Sequence, residues 1–338
     1  MKNLLSTFLI FISFFASAQI GGNAVYKFLN LSASAKQTAL GGKVFTGLKS
    51  DIFQPAFNPA TLDSTMNNKL GVNYVSYLSD INYGNIAYAR NLKKLGTVYA
   101  AVSYVNYGSF DYASEDGTRN GTFGASEAAV IFGYAYKIDN HFSLGANSKF
   151  ILSNLEQFSS SALAFDLGFL YKNEEKGLQS ALVFRNMGWQ LSTYQGVNES
   201  LPFEIDFSFS KTFLHAPFKW FVTFENLQKP EIAFVNTAHN TQDPNGKVIE
   251  EDISFGDHLA RHTIIGLELF PKKRFNARVG YSFRRGAELG LKDERFGAGL
   301  NFGFGLRLRK FEVNYAYGSF SNASNAGVFS VIVNLDEF

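Results

Sequence analysis

The chain has 338 residues and a formal net charge of +2, and it is rich in aromatic residues, with 36 Phe and 16 Tyr. Basic and acidic side chains are interspersed, so the charge pattern offers no basic surface for a nucleic-acid partner. The sequence contains no cysteine, which excludes disulfide bonds, thiolate chemistry and a lipidated cysteine at a mature N-terminus.

Residues 1–18 have the three-part pattern of a secretory signal peptide. A basic start at Lys2 precedes an apolar run over residues 4–15, and small residues follow at positions 16–18. The apolar run is shorter than a membrane-spanning helix requires. We therefore predict that this segment is removed and that the mature chain is exported to a bacterial cell envelope.

Residues 19–69 differ in composition from the rest of the chain. They contain small residues and paired glycines, with one helix-compatible stretch at 32–42 and little alternation of apolar and polar positions. We predict an N-terminal plug or hatch segment, folded inside the structure that the following residues build or across its mouth.

Residues 70–338 contain fourteen segments in which apolar or aromatic residues alternate with small or polar ones, as strands with two different faces require. Their connections are alternately short and long, with Ser79-Asp80 as the exception. Hydrocarbon offers no hydrogen-bond partners, so a lipid-exposed sheet must close on itself. We predict an all-β fold, a 14-stranded transmembrane antiparallel β-barrel in the outer membrane. The predicted strands are 70–78, 81–91, 95–107, 124–138, 141–153, 160–171, 178–187, 203–214, 218–228, 262–270, 275–285, 295–308, 310–319 and 326–335.

A soluble β-sandwich would also produce alternating strands. Its apolar face would be the inner one, and a second sheet would have to cover the many aromatic positions. The export signal and the unequal connections favour the barrel. In that barrel, pairing Leu269 with Ala277 across the turn at 271–274 places Glu268 opposite Arg278, and we predict that these two side chains form a polar pair in the lumen.

Other charged residues also fall on the predicted inner face. They could line a conduit, although such residues more often pair with one another and with water. No catalytic triad or carboxylate pair stands out, so we predict neither an enzyme nor a cofactor. The inward charges are Lys149, Asp166, Arg185, Glu204, Asp206, Glu225, Arg284 and Arg307.

Two short patterns imitate ligand sites. Gly42–Ser50 resembles a phosphate-binding loop, but Leu48 separates the second glycine from the lysine, and a glycine-rich turn is the better interpretation. His258 and His262 are four residues apart, but we place His262 at the start of a strand, where the two side chains would be too far apart for one metal ion.

The predicted outer loop over residues 229–261, called the 229–261 loop below, contains an unusual number of apolar residues among acidic ones. An exposed apolar patch of this kind marks an interaction site, and the alternative is a loop that folds back on the barrel rim. The candidate partner-binding residues are Pro230, Phe234, Val235, Ile249, Ile253, Phe255 and Asp257.

The N-terminal pieces Gly21-Gly22-Asn23, Ser34 to Gly42 and Asn58-Pro59-Ala60 resemble those of the PorV/PorQ family of outer-membrane barrels. These barrels belong to the type IX secretion system of Bacteroidetes and are similar in fold to the FadL fatty-acid transporters. The length and the Gly-Gly-Asn opening are more similar to PorQ than to PorV.

The resemblance implies a non-enzymatic component of the surface attachment complex, which would hold a PorZ-like surface protein near a PorU/PorV-type assembly. That complex releases secreted cargo and links it to lipopolysaccharide. Two other functions stay open, a FadL-like transporter of hydrophobic small molecules and a PorV-like shuttle that carries cargo directly. The first would require an apolar channel, which the inward charges oppose.

Overall fold

The structure is a computed structural model that describes residues 24–77, 80–113, 118–213, 215–234, 241–242, 248–249, 253–289, 297–321 and 324–338. The predicted signal peptide lies outside these residues. Fourteen antiparallel strands close into one barrel, and β10 and β11 form a separate hairpin. The strands are β1 (Lys69–Ser76), β2 (Asn82–Asn91), β3 (Thr97–Ala113), β4 (Arg119–Lys137), β5 (Phe142–Leu155), β6 (Phe158–Asn173), β7 (Leu178–Ser192), β8 (Glu204–Thr212), β9 (Phe218–Phe224), β10 (Thr241–Gln242), β11 (Val248–Ile249), β12 (Thr263–Leu269), β13 (Phe275–Ser282), β14 (Leu300–Arg307), β15 (Phe311–Ser321) and β16 (Ser324–Asn334).

The barrel closes between its first and last strands. β1 pairs with β16 from Lys69 opposite Asn334 to Ser76 opposite Gly327, and it pairs with β2 on its other side. Every wall strand therefore has two hydrogen-bonded neighbours and the wall has no free edge, as a bilayer requires. This arrangement confirms the predicted fold class and strand number.

The two faces of the wall differ in polarity. On β1, Asn73 and Val75 are buried inside, whereas Val72 and Tyr74 are exposed on the outside. The same alternation continues around the wall and presents aromatic and aliphatic side chains outward, the arrangement that faces acyl chains in outer-membrane barrels. Exposed outward residues include Ile86, Val102, Tyr104, Phe132, Tyr134, Phe150, Leu167, Phe169, Phe302 and Phe329.

The connections at one end of the barrel are all short, whereas the three long ones, which follow β7, β9 and β13, lie at the other end. These ends are called the short-turn end and the long-loop end below. The turns at 92–96, 138–141, 174–177, 270–274 and 308–310, together with the connection from β8 to β9, form the short-turn end. In outer-membrane barrels this end faces the periplasm.

Several strand boundaries were predicted wrongly at the long-loop end. The predicted loop 108–123 is mostly strand, because β3 and β4 continue through two register shifts, one of them beside Gly108 with φ 84°. The predicted strand to residue 285 ends at Ser282, where a helix begins, and β14 begins at Leu300 rather than at 295. At these strand ends, the alternation of apolar and polar residues in the sequence fits a helix face or a β-bulge as well as it fits a regular strand.

The three α-helices of the described residues are short, and they lie before β1, between β11 and β12, and between β13 and β14. They are α1 (Ala35–Ala39), α2 (Phe255–Arg261) and α3 (Phe283–Leu289), with 3-10 turns at Lys27–Asn30, Gln54–Ala56, Pro59–Thr61, Ser64–Met66, Lys93–Leu95 and Leu335–Glu337. None of the helices in the described part of the chain is long and apolar enough to cross a membrane.

Residues 24–68, called the N-terminal segment below, contact the inner face of the wall. Helix α1 packs against β13 to β16, and the turn Pro59–Thr61 packs against β4, β5 and β6. Ser34 caps α1 by accepting a hydrogen bond from the Gln37 amide, and the helix is buried along its whole length. The N-terminal segment therefore touches opposite parts of the wall.

Candidate functional site

Ion pairs join the N-terminal segment to the inner face of the wall near the long-loop end. Lys43 Nζ lies 2.7 Å from Glu204 Oε2 on β8 and 2.8 Å from Glu225 Oε2, just after β9. Burial disfavours the charged form of Lys43, but the two carboxylates outweigh this penalty and raise its pKa above the ordinary value. The lysine is thereby held as a cation between two anions.

Arg185 on β7 adds a second cation to the same cluster. Its Nη1 lies 3.0 Å from Glu204 Oε2, and its Nη2 donates a hydrogen bond of 2.9 Å to the Leu29 carbonyl. The guanidinium also lies 4.2 Å from the centre of the Phe57 ring. Arg185 is completely buried, so one wall residue binds two separate parts of the N-terminal segment.

A second ion pair holds α1 against the opposite side of the wall. Lys36 Nζ lies 2.7 Å from Glu312 on β15 and donates a 2.9 Å hydrogen bond to the Lys49 carbonyl. Both charged side chains are almost fully buried. A buried pair of this kind costs desolvation, and it persists only where each charge keeps its partner.

Glycines let the backbone of the N-terminal segment approach the wall. A Cβ atom at Gly280 would lie 2.1 Å from the Leu40 carbonyl carbon, and one at Gly145 would lie 2.3 Å from the Pro59 carbonyl carbon. Both approaches are shorter than real Cβ contacts allow. The inward Gly303 likewise lies close to Ala39, since a Cβ atom there would lie 2.8 Å from the Ala39 Cβ.

The sequence-predicted pair Glu268 and Arg278 lies within the wall. The two residues are opposite each other in the β12–β13 register, and Arg278 Nη2 lies 2.8 Å from Glu268 Oε1. Both side chains are buried on the inner face. Arg278 also donates to Asn314 Oδ1 at 3.2 Å, so the pair extends toward β15.

The other inward charges mostly pair with one another. Lys149 lies 2.8 Å from Asp166 and also donates to Asn186. Arg284, predicted to be on the inner face of a strand, instead lies on α3 and pairs with Glu288 one turn later. Sequence reasoning missed the roles of Lys36 and Lys43. The cluster of acidic residues on the inner face, at Glu204 and Asp206 on β8 and at Glu225 just after β9, was the signal that could have indicated a cation from another part of the chain.

Two cavities open at the two ends of the barrel. The one at the long-loop end has a volume of about 420 Å³ and is lined in part by Lys43, Glu225 and Phe234. The one at the short-turn end has a volume of about 470 Å³ and is lined in part by Gly47 and Lys219. The chain from Lys43 to Gly47 runs from one cavity to the other.

The 229–261 loop contains the helix α2, which the sequence analysis had not predicted. Ser254 accepts a hydrogen bond from the Asp257 amide, and Asp257 accepts hydrogen bonds from the Ser254 hydroxyl and amide, which forms a capping box. The side-chain and backbone hydrogen bonds from Ser254 lower the pKa of Asp257. This candidate partner-binding residue is therefore engaged at the helix N-terminus.

The apolar candidates in the loop lie in different environments. Phe255 on α2 is 83% exposed, and Leu259, four residues later on the same helix face, is 52% exposed. Phe234 is 40% exposed and Pro230 is also exposed, while Ile253 is half-buried. Ile249 lies on β11, and Val235 lies outside the described residues.

The base of the loop is fixed to the barrel rim. The Arg261 guanidinium donates to the Phe234 carbonyl, and α2 contacts α3. The two ring nitrogens of His262 lie 2.6 Å from the Glu225 carbonyl and 3.3 Å from the Pro230 carbonyl. The loop therefore both folds back on the rim and leaves one face of α2 exposed.

The placement of His262 at the start of a strand was wrong. His262 is the C-terminal cap residue of α2, one helical turn from His258. Its ring nitrogens are directed to the two backbone carbonyls rather than toward an ion. Within the described part of the chain, no group of three or more His, Cys, Asp or Glu residues is arranged to hold a metal.

We expect removal of the helix cap to loosen α2 without affecting the barrel. Ser254→Ala removes the hydroxyl that accepts from the Asp257 amide, a change that costs a helix about 0.5–2 kcal/mol. Hydrogen exchange of the α2 amides should become faster, while exchange in β12 stays unchanged. Ser200→Ala, at an exposed serine in another loop, serves as the control, and equal exchange in both variants would contradict the capping role.

Closed strand pairing, an apolar outer face and a lumen crossed by paired charges define an outer-membrane β-barrel. Solved structures support this class. The crystal structure of the Pseudomonas putida toluene transporter TodX aligns with 90% of this chain and 97% of its own length, with a TM-score of 0.55 and 11% identity. The CymD monoaromatic hydrocarbon channel aligns with 90% of this chain and 98% of its own, with the same TM-score and identity.

A Pseudomonas aeruginosa FadL homologue also aligns, with a TM-score of 0.47 and 11% identity. The assignment of the fold therefore depends on the first two structures. No curated protein sequence matches the chain. Residues 18–191, just over half of the chain, match the family described as type IX secretion system protein PorV. The chain belongs to this family.

Proposed function

We propose that this protein is a non-enzymatic anchor of the type IX secretion attachment complex, which holds a PorZ-like surface protein at the outer membrane. Membership of the PorV family supports a component of that secretion system. Within that system, holding the surface protein at the membrane is the role that a PorQ-like member would perform. The partner would be exposed outside the cell, next to a PorU/PorV-type assembly.

The exposed apolar face of α2 carries this proposal. Phe255 and Leu259 lie one turn apart on a helix whose base is fixed to the barrel rim by His262 and Arg261. Large apolar side chains that are fixed in water, rather than packed, favour burial by a partner. The exposed Asp257 at the N-terminus of the same helix would then belong to the polar rim of that interface.

The double variant Phe255→Ser/Leu259→Ser tests the anchor. We expect at least a tenfold loss of the PorZ-like protein from the outer-membrane fraction and its appearance in the medium, because the apolar contact is removed. The measurement is immunoblotting of both fractions. The control is Val197→Ser, a comparably exposed apolar residue in the 193–203 loop. A partner retained by the double variant would contradict the assignment of the docking face.

Two other functions keep a specific observation in their favour. The fold is similar to that of a toluene transporter, which suggests transport of hydrophobic small molecules, yet the N-terminal segment and its buried charges oppose an apolar route through this lumen. A cargo shuttle would follow from the family itself. Co-purification of cargo signal domains with this barrel, in the absence of the PorZ-like protein, would favour the shuttle.

A further inference from the structure

An apolar groove runs along the lipid-facing side of the wall near the short-turn end. Strands β5 to β8 line it, and its volume is about 530 Å³. This volume lies within the range of about 300–1,000 Å³ that small-molecule sites occupy. Its outward lining is almost entirely aromatic or aliphatic, and includes Phe142, Leu144, Phe169, Leu182 and Phe207.

One outward residue in the lining of the groove is small. Ser180 on β7 lies opposite Tyr171 of β6 on one side and Phe209 of β8 on the other. In the next row toward the long-loop end, Leu182 lies between Phe169 and Phe207. The hydroxymethyl group of Ser180 therefore leaves a notch where its neighbours carry rings.

Polar and cationic groups lie next to the groove on the side of the short-turn end, beyond the residues that line it. The His141 ring stacks on the Tyr171 ring with a centroid distance of 6.0 Å and an interplanar angle of 16°. Lys211 on β8 lies opposite Leu178, one row beyond Ser180, and opposite Trp220 on its other side. Lys211 makes no ion pair with any residue that the structure describes.

We propose that this groove binds one phospholipid of the periplasmic leaflet. An acyl chain lies over Ser180 between the flanking rings, and the phosphate is bound by Lys211 and the Tyr171 hydroxyl. The position of the groove in the membrane fits a phospholipid, because the short-turn end faces the periplasm and the periplasmic leaflet supplies phospholipid. A notch with apolar walls gains dispersion contacts when a chain fills it, and a lysine at the interface pairs with a phosphate.

Native mass spectrometry of the full-length protein, extracted from outer membranes and washed in detergent, tests the site. We expect one retained phospholipid per barrel, and Ser180→Phe should reduce its occupancy at least tenfold by filling the notch. Ala100→Phe is the matched control, since Ala100 is an outward residue that lies between Tyr88 and Phe132 on another part of the wall. This variant should retain the phospholipid as the unchanged protein does.

Two further variants separate the acyl and phosphate contacts. Ser180→Leu fills the notch with a smaller side chain and replaces Ser180→Phe if the latter fails to insert. Lys211→Gln should lower the retention of anionic phospholipid several-fold more than that of zwitterionic phospholipid. Equal retention by the unchanged protein and both Ser180 variants would overturn the proposal. A second result would also overturn the proposal. In that result the unchanged barrel carries no phospholipid and instead co-purifies with a membrane protein, and Ser180→Phe loses this protein.

Discussion

Replacement of Lys43 by methionine is expected to destabilise the barrel by about 3–5 kcal/mol, the usual cost of removing one partner of a buried ion pair. The ammonium group lies within 2.8 Å of both Glu204 and Glu225, and only 10% of the side chain is exposed. Arg185 would still neutralise Glu204, but Glu225 would lose its closest cation. Chemical unfolding in detergent, followed by the fluorescence of the two tryptophans, measures the effect.

Lys27→Met is the matched control, because Lys27 lines the same cavity but is exposed. The double variant Lys43→Met/Glu225→Gln should recover part of the lost stability, since it removes the unpaired carboxylate. In the single variant, the loosened N-terminal segment should expose the buried Lys36 to trypsin. A Lys43→Met protein as stable and as resistant to trypsin as Lys27→Met would show that the buried pairs do not hold the segment.

Substitution of Gly280 by alanine should displace the N-terminal segment from the β13 side of the wall. The added methyl group would lie 2.1 Å from the Leu40 carbonyl carbon and 2.3 Å from the Gly41 nitrogen, and both are backbone atoms that cannot rotate away. We expect a loss of about 1–3 kcal/mol, the usual cost of overpacking. The same unfolding assay and trypsin digestion measure it.

Gly327→Ala provides the control, because its nearest neighbour would be the Tyr315 hydroxyl at an ordinary 3.6 Å. Gly145→Ala tests the opposite side, where the added methyl group would meet Pro59. Destabilisation by both lumen glycines but not by Gly327→Ala would identify the contact with the segment as the cause. Equal stability of all three variants would contradict the close packing.

All fourteen wall strands were predictable, because alternation with a period of two is a local property and lipid imposes it on every strand. The β12–β13 register was predictable for the same reason, since a slip of one residue would move Glu268 and Arg278 to the lipid face. Helix α2 was not predicted. Its capping box at Ser254 and Asp257 is visible in the sequence, but it lies in a loop whose apolar residues have no clear period.

The sequence by itself determined a closed, lipid-exposed wall, because the chain alternates its aromatic and polar residues over strand after strand. It also determined most of the charges that face inward, although Arg284 lies on α3 instead. Only the tertiary structure decided which cations those charges meet. Lys36 and Lys43 are distant in the chain from Glu312 and Glu204, and the contacts arise only when the N-terminal segment lies against the closed wall. Alternation reports the two faces of a strand but carries no information about a partner from another part of the chain.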